Sequence, residues 1–167
     1  MSLLDPQTCH SKILVLSLFI CNLVPSDLIF IEPDNDIFYD CEVVFFATPH
    51  GVSMNLVNLF VNKNIKVIDL SADFRLKDKG IWEEWYNVPH SQEELLSESV
   101  YGLTELNSSK IESARLVAVP GCYPTASLLA ILPLLSSKFK IESIIIDAKS
   151  GISGAGRQKV ENGLEIA

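Results

Sequence analysis

The stretch EVVFFATPHGVSMNLVNLFVNKNIKVIDL, residues 42–70, decides the fold. Residues 42–47, EVVFFA, are β-branched and aromatic and read as a fully buried strand. Thr48, Pro49, His50 and Gly51 break it. Residues 53–62 then place Met54, Val57, Phe60 and Val61 at helical spacing, and residues 66–70, KVIDL, form the next strand. Strand, helix, strand is a βαβ unit, which implies a parallel sheet with a right-handed crossover.

Working outward, the pattern repeats. Upstream, ILVLSLFI (13–20) is a continuous apolar run, and LIFIE (28–32) is a further strand followed by a turn cluster at 33–36. The first run has the length of a signal-peptide core and is too short to span a bilayer. With Asp5 and His10 before it and no small-residue cleavage site close behind, it reads as a buried strand. Downstream, residues 73–79 are charged and read as surface. Trp82, Trp85 and Tyr86 are spaced for one face of a short helix packed on the domain. LVAV (116–119) is a short strand that runs into Pro120, Gly121 and Cys122. Residues 123–137 look helical, with Pro124 tolerated in the first turn and Pro133 predicting a kink or an early end. ESIIIDA (142–148) reads as one more strand before a glycine-rich loop at 150–157.

Composition sets the bounds. The chain has 167 residues, 48% of them apolar and 20% charged, which is globular composition and excludes a disordered or collagen-like chain. The length suits one domain, or one domain and part of another. Thirteen basic against twenty-one acidic residues give a net charge of −8, which argues against a nucleic-acid binder. The four cysteines, Cys9, Cys21, Cys41 and Cys122, form no CxxC pair and no zinc pattern, so reduced thiols in a cytoplasmic protein and no metal site are expected.

Three places carry chemistry. Cys122 lies where a strand ends and a helix begins, among unpaired N–H groups that favour a thiolate, and Gly121 removes a side chain beside the sulfur. The ordinary alternative is a small buried hydrophobe. The loop of Ser150, Gly151, Ile152, Ser153, Gly154, Ala155, Gly156 and Arg157 offers backbone N–H groups to an anion or carboxamide, or is a flexible connection. The segments 48–51 and 71–75 follow two parallel strands, at the edge where α/β sheets bind ligands. In the second of these, Arg75 either grips a phosphate or carboxylate, or pairs with Asp73 or Asp78.

Taken in order, VVFFATPHG (43–51), VIDLSADFRLKD (67–78), YGLTELN (101–107), VAVPGCYPTA (117–126) and DAKSGISGAGR (147–157) closely resemble N-acetyl-gamma-glutamyl-phosphate reductase, of the aspartate-semialdehyde dehydrogenase-like superfamily. The resemblance implies an NADPH-dependent enzyme of arginine biosynthesis. It would reduce N-acetyl-glutamyl 5-phosphate to the 5-semialdehyde through a cysteine thioester, and the full-length family would be homo-oligomeric, with no nucleic-acid or membrane partner. Cys122 matches the nucleophile. Ala47, Thr48, Pro49, His50 and Ser71, with Ser150, Gly151, Ser153, Gly154 and Ala155, match cofactor-binding positions, and Arg75 matches a position for the substrate phosphate.

The implied fold is α/β. Residues 1–121 form an incomplete NADP-binding, Rossmann-like parallel sheet, leading into the start of a second α/β catalytic and dimerisation domain at 122–167. The family's GxxGxxG loop has no counterpart, since residues 1–24 contain no glycine, and no histidine follows Cys122 to match the family's acid–base residue. The chain is therefore expected to be partial and impaired as it stands. An inactive binding module of the same descent is the alternative, and a cofactor-free thiol hydrolase is a weaker one.

Overall fold

The computed structural model describes the backbone of residues 2–4, 13–17 and 29–31, and residues 39–135 and 140–151 in full. The chain divides into two compact units, Met1–Gly121 and Cys122–Ala167.

The first unit is an α/β domain. Strands β1 (Ser2–Leu4), β2 (Ile13–Ser17), β3 (Ile29–Ile31), β4 (Val43–Ala47), β5 (Lys66–Asp69), β6 (Val100–Tyr101) and β7 (Leu116–Ala118) form one sheet in the order β3-β1-β2-β4-β5-β7-β6. From β2 to β6 every pairing is parallel, as the βαβ reading requires. The β1 edge differs, because β1 pairs antiparallel with both β2 and β3. Only residues 5–12 join β1 to β2, and a parallel crossover needs a dozen or more.

Helix α1 (Ser53–Val61) supplies Met54, Val57, Phe60 and Val61 to the core, the four positions that its spacing predicts. They meet Val44, Phe46 and Val67 from the sheet, with Phe46 and Phe60 edge-to-face at 5.5 Å. β4 is not buried on both faces, as its continuous apolar run suggested. Val44 and Phe46 are fully buried, while Val43, Phe45 and Ala47 on the other face are only half-buried.

Helices α2 (Lys79–Tyr86), α3 (Glu93–Glu98) and α4 (Thr104–Ser113) fill the long connection from β5 to β7. Asp78 caps α2, accepting from Ile81 N–H at 2.9 Å. Lys77 holds the last carbonyls of α3 and Lys66 those of α4, cations where the helix dipole is negative. Gly102 lets β6 approach β7: a Cβ there would lie 2.9 Å from Val117 Cγ1 and 3.2 Å from the Ala118 oxygen.

Two expectations for residues 71–86 change. The segment 73–79 begins inside the domain, since Asp73 and Phe74 are buried. Of the three aromatics, Trp82 is fully buried and Tyr86 stacks on it at 4.8 Å, but Trp85 is 75% exposed. Positions i and i+4 share a face here, and i+3 turns outward.

In the second unit, helix α5 (Cys122–Leu135) accommodates Pro133 within it. Residues 142–148 are not the strand expected from their sequence. They have no regular secondary structure, and Ile145 is 94% exposed. A strand needs a ladder partner, and residues 142–148 have none among the described residues.

Candidate functional site at the carboxyl ends of the strands

The carboxyl ends of β4, β5 and β7 lie side by side, so residues 48–52, 70–75 and 119–121 share the edge where such sheets bind ligands. The first loop leaves β4 through Thr48, Pro49 and His50 and enters α1 through Gly51, whose φ of +82° is left-handed and suits glycine. Val52, at the α1 N-cap, offers no side-chain cap. The cap comes instead from the neighbouring loop: Asp73 Oδ1 accepts from Gly51 N–H at 2.7 Å and Oδ2 from Met54 N–H at 3.1 Å.

Behind that cap lies a buried cluster of Ser53, Asp69, Ser71 and Asp73, each no more than 2% exposed. Ser53 Oγ sits 3.0 Å from Asp69 Oδ2, 3.0 Å from Ser71 Oγ and 2.9 Å from Asp73 Oδ2. Ser71 Oγ sits 2.8 Å from Asp69 Oδ2 and accepts from Asp73 N–H, while Asp69 Oδ1 accepts from Ser71 N–H. Four close oxygen pairs thus share only two hydroxyl hydrogens, and a proton on Asp69 supplies a third. Burial pushes the Asp69 carboxyl up to about 6, helped by the charge of Asp73 and opposed by the hydrogen bonds from Ser71 and Ser53.

A second group of side chains fixes Ala72 between the two carboxylates. His50 Nδ1 accepts from Ala72 N–H at 3.2 Å, and Trp82 Nε1 donates to the Ala72 oxygen at 3.0 Å. His50 is exposed, with its ring against Tyr86. His90 is buried. It accepts from Gln92 N–H at Nδ1, so its Nε2 proton points to the Asp73 oxygen at 2.8 Å.

Arg75 pairs with neither Asp73 nor Asp78, both of which cap helices. Its Nε donates to the Val119 oxygen and its Nη2 to the Leu70 oxygen, each at 2.8 Å. Val119 N–H in turn donates to the Asp69 oxygen, so the exit of β7 is held from both sides. Burial raises the Tyr101 phenol and the charge of Arg75 opposes this.

The expected site residues fall into three groups. Ala47, Thr48, Pro49, His50 and Arg75 come together at the sheet edge of the first unit. Ser71 lies in the same loop pair but is buried, so its hydroxyl serves the carboxylate cluster rather than facing outward. Cys122 belongs to the second unit as the exposed first residue of α5. Ser150 and Gly151 are exposed beyond it, and Ser153, Gly154 and Ala155 lie outside the described residues. Sequence reasoning missed Ser53, Asp69 and Asp73. The available signal was an aspartate inside the apolar run KVIDL with a Ser and an Asp at two-residue steps after it.

Among the described residues, no group of His, Cys, Asp and Glu could hold a metal ion, and no helix is long and apolar enough to cross a membrane. One buried side-chain atom among them has no hydrogen-bond partner: Thr48 Oγ1. Leaving such a hydroxyl unpaired costs about 1–3 kcal/mol, which a polar ligand group would remove. A nicotinamide dinucleotide, with hydroxyl and carboxamide groups along its length, fits that requirement.

The sequence matches two family models in succession: semialdehyde dehydrogenase, NAD binding domain, over residues 22–114, and semialdehyde dehydrogenase, dimerisation domain, over residues 122–165. It is similar to proteins named N-acetyl-gamma-glutamyl-phosphate reductase, in agreement with the resemblance read from its motifs. The one from Ruthia magnifica subsp. Calyptogena magnifica is 58% identical over 132 residues, which is 78% of this chain and 39% of the relative. The one from Nitrosococcus oceani is 55% identical over 134 residues, 79% of this chain and 39% of the relative. The one from Azotobacter vinelandii is 55% identical over 131 residues, 78% of this chain and 38% of the relative. The chain therefore spans less than half the length of these relatives.

Proposed function

The chain belongs to the semialdehyde dehydrogenase family, and on that premise we propose that it carries part of the active site of an NADPH-dependent acyl-phosphate reductase. The reaction is reduction of N-acetyl-glutamyl 5-phosphate to N-acetyl-glutamate 5-semialdehyde and phosphate, in the cytoplasm, by a homo-oligomer. The observation that carries the reading is the succession of the two matched domains, with Cys122 as the first residue of the second.

Cys122 is the nucleophile. Its thiolate adds to the acyl carbon of the substrate, and collapse of the tetrahedral adduct breaks the carbon–oxygen bond to phosphate, leaving a thioester. It is the first residue of α5, and backbone N–H groups at a helix start have no intrahelical partner and can receive the negative charge that develops on the acyl oxygen of the adduct. When bound, NADPH supplies the hydride that takes the acyl group to the aldehyde. Ala47, Thr48, Pro49 and His50 hold the cofactor along the β4 end, and Thr48 offers its free hydroxyl. Ser71 supports that edge from behind. Ser150, Gly151, Ser153, Gly154 and Ala155 form the second cofactor segment. Arg75 keeps Nη hydrogens beyond its two backbone bonds, so it can take a phosphate oxygen while still bracing Val119.

Acylation tests the reading directly. Mixing the chain with N-acetyl-glutamyl phosphate should release phosphate and add an acyl group, labile to hydroxylamine, to Cys122 in the intact mass. Cys122→Ser should abolish both. Phosphate release without acylation, or equal labelling of the Cys122→Ser variant, would overturn it.

A further inference from the structure

Asp73 joins the two loops of the ligand edge. It comes from the loop after β5, yet its carboxylate grips the loop after β4, at the N–H of left-handed Gly51, the N–H of Met54 and the hydroxyl of Ser53. α1 has no side-chain cap from Val52. The grip is itself braced: Asp73 N–H donates to Ser71 Oγ, and the Asp73 carbonyl accepts from buried His90. Three residues before Gly51 stands Thr48, whose buried hydroxyl has no partner.

We propose that Asp73 is a positioning residue for loop 48–51, fixing the backbone so that the buried Thr48 hydroxyl is left unpaired for a polar group of the nicotinamide cofactor. The inference rests on the cofactor reading above and adds a chemical restriction to it. A helix N-terminus in such a fold is an anion site, but here a carboxylate of the protein already occupies it. Loop 48–51 therefore takes an uncharged part of the dinucleotide, a ribose hydroxyl or the carboxamide, and not its phosphates.

NADPH binding to the full 167-residue chain, read by nucleotide fluorescence, tests this with Asp73→Ala, Thr48→Val and the double variant. Each single change should weaken binding by about tenfold, the scale of one lost hydrogen bond to a ligand. The double variant should also lose only about tenfold, because both changes remove the same contact. A loss near one hundredfold in the double variant, or unchanged binding by Asp73→Ala, overturns the proposal. Asp73→Asn, which keeps one acceptor oxygen, serves if the alanine variant does not fold, and it should bind with intermediate affinity. Amide hydrogen exchange separates this inference from the cofactor reading. If the unmodified chain binds no NADPH, the cofactor reading fails. The positioning role then stands on faster exchange confined to residues 48–54 in Asp73→Asn, and falls if exchange is unchanged or rises across the whole sheet.

Discussion

Replacing Asp69 with Asn should remove a pH dependence of stability that the unmodified chain carries. Asp69 is fully buried, and its carboxyl is pushed from 3.8 up to about 6. The fold therefore favours the protonated acid. Its stabilising contribution is complete below about pH 4 and is lost as the pH rises through about 6. The rise from 3.8 to about 6 corresponds to about 3 kcal/mol between those limits. Asn keeps the shape and never ionises. Its amide can donate to both Ser53 Oγ and Ser71 Oγ, which frees Ser71 to donate to Ser53 and Ser53 to Asp73, so all four close oxygen contacts are satisfied. Urea unfolding followed by circular dichroism, on both proteins from about pH 4 to pH 8, gives the difference curve. Other titrating groups are common to both proteins and cancel. Asp69→Asn should match the unmodified chain at the acid end and exceed it by about 2–3 kcal/mol at the alkaline end. A flat difference curve, or one that falls with pH, would refute the shared-proton account of the cluster.

Trp82→Ala should cost about 3–5 kcal/mol in urea unfolding, since it empties a fully buried site stacked on Tyr86. Trp82→Phe should cost less and should mainly free the Ala72 carbonyl. Gly102→Ala should destabilise by about 1–3 kcal/mol through overpacking against Val117 and Ala118, read as a lower melting temperature. Iodoacetamide on the native chain, followed by peptide mass spectrometry, should modify exposed Cys122 and spare Cys41, which is 5% exposed and should label only in denaturant.

The fold and the chemistry were legible to different depths. Residues 42–70 determined a parallel α/β sheet by themselves, because a 3.6-residue apolar stripe set between two short apolar runs fits a strand, a crossover helix and a second, parallel strand. The motifs PGCYPT and SGISGAGR determined the family, because residue identities at fixed spacing carry that information without coordinates. ESIIIDA shows the limit of pattern: its composition is that of a strand, but pairing depends on a neighbour that composition does not supply.

The carboxylate cluster lay further out of reach. Ser53 opens α1, Asp69 ends β5, and Ser71 and Asp73 lie in the loop after it, and each reads singly as a cap, a strand residue or a surface charge. Only the tertiary fold brings the β4 and β5 ends within hydrogen-bonding distance. There, burial raises a carboxyl, and a surface-looking aspartate becomes the cap of a helix in another loop. For Arg75 the ion-pair alternative with Asp73 or Asp78 gave way to a brace on Val119, because a backbone carbonyl partner is invisible in a string of side chains. The sequence determined which chemistry is present. Tertiary structure decided which buried polar groups the protein itself satisfies and that, among the described residues, the Thr48 hydroxyl is left without a partner.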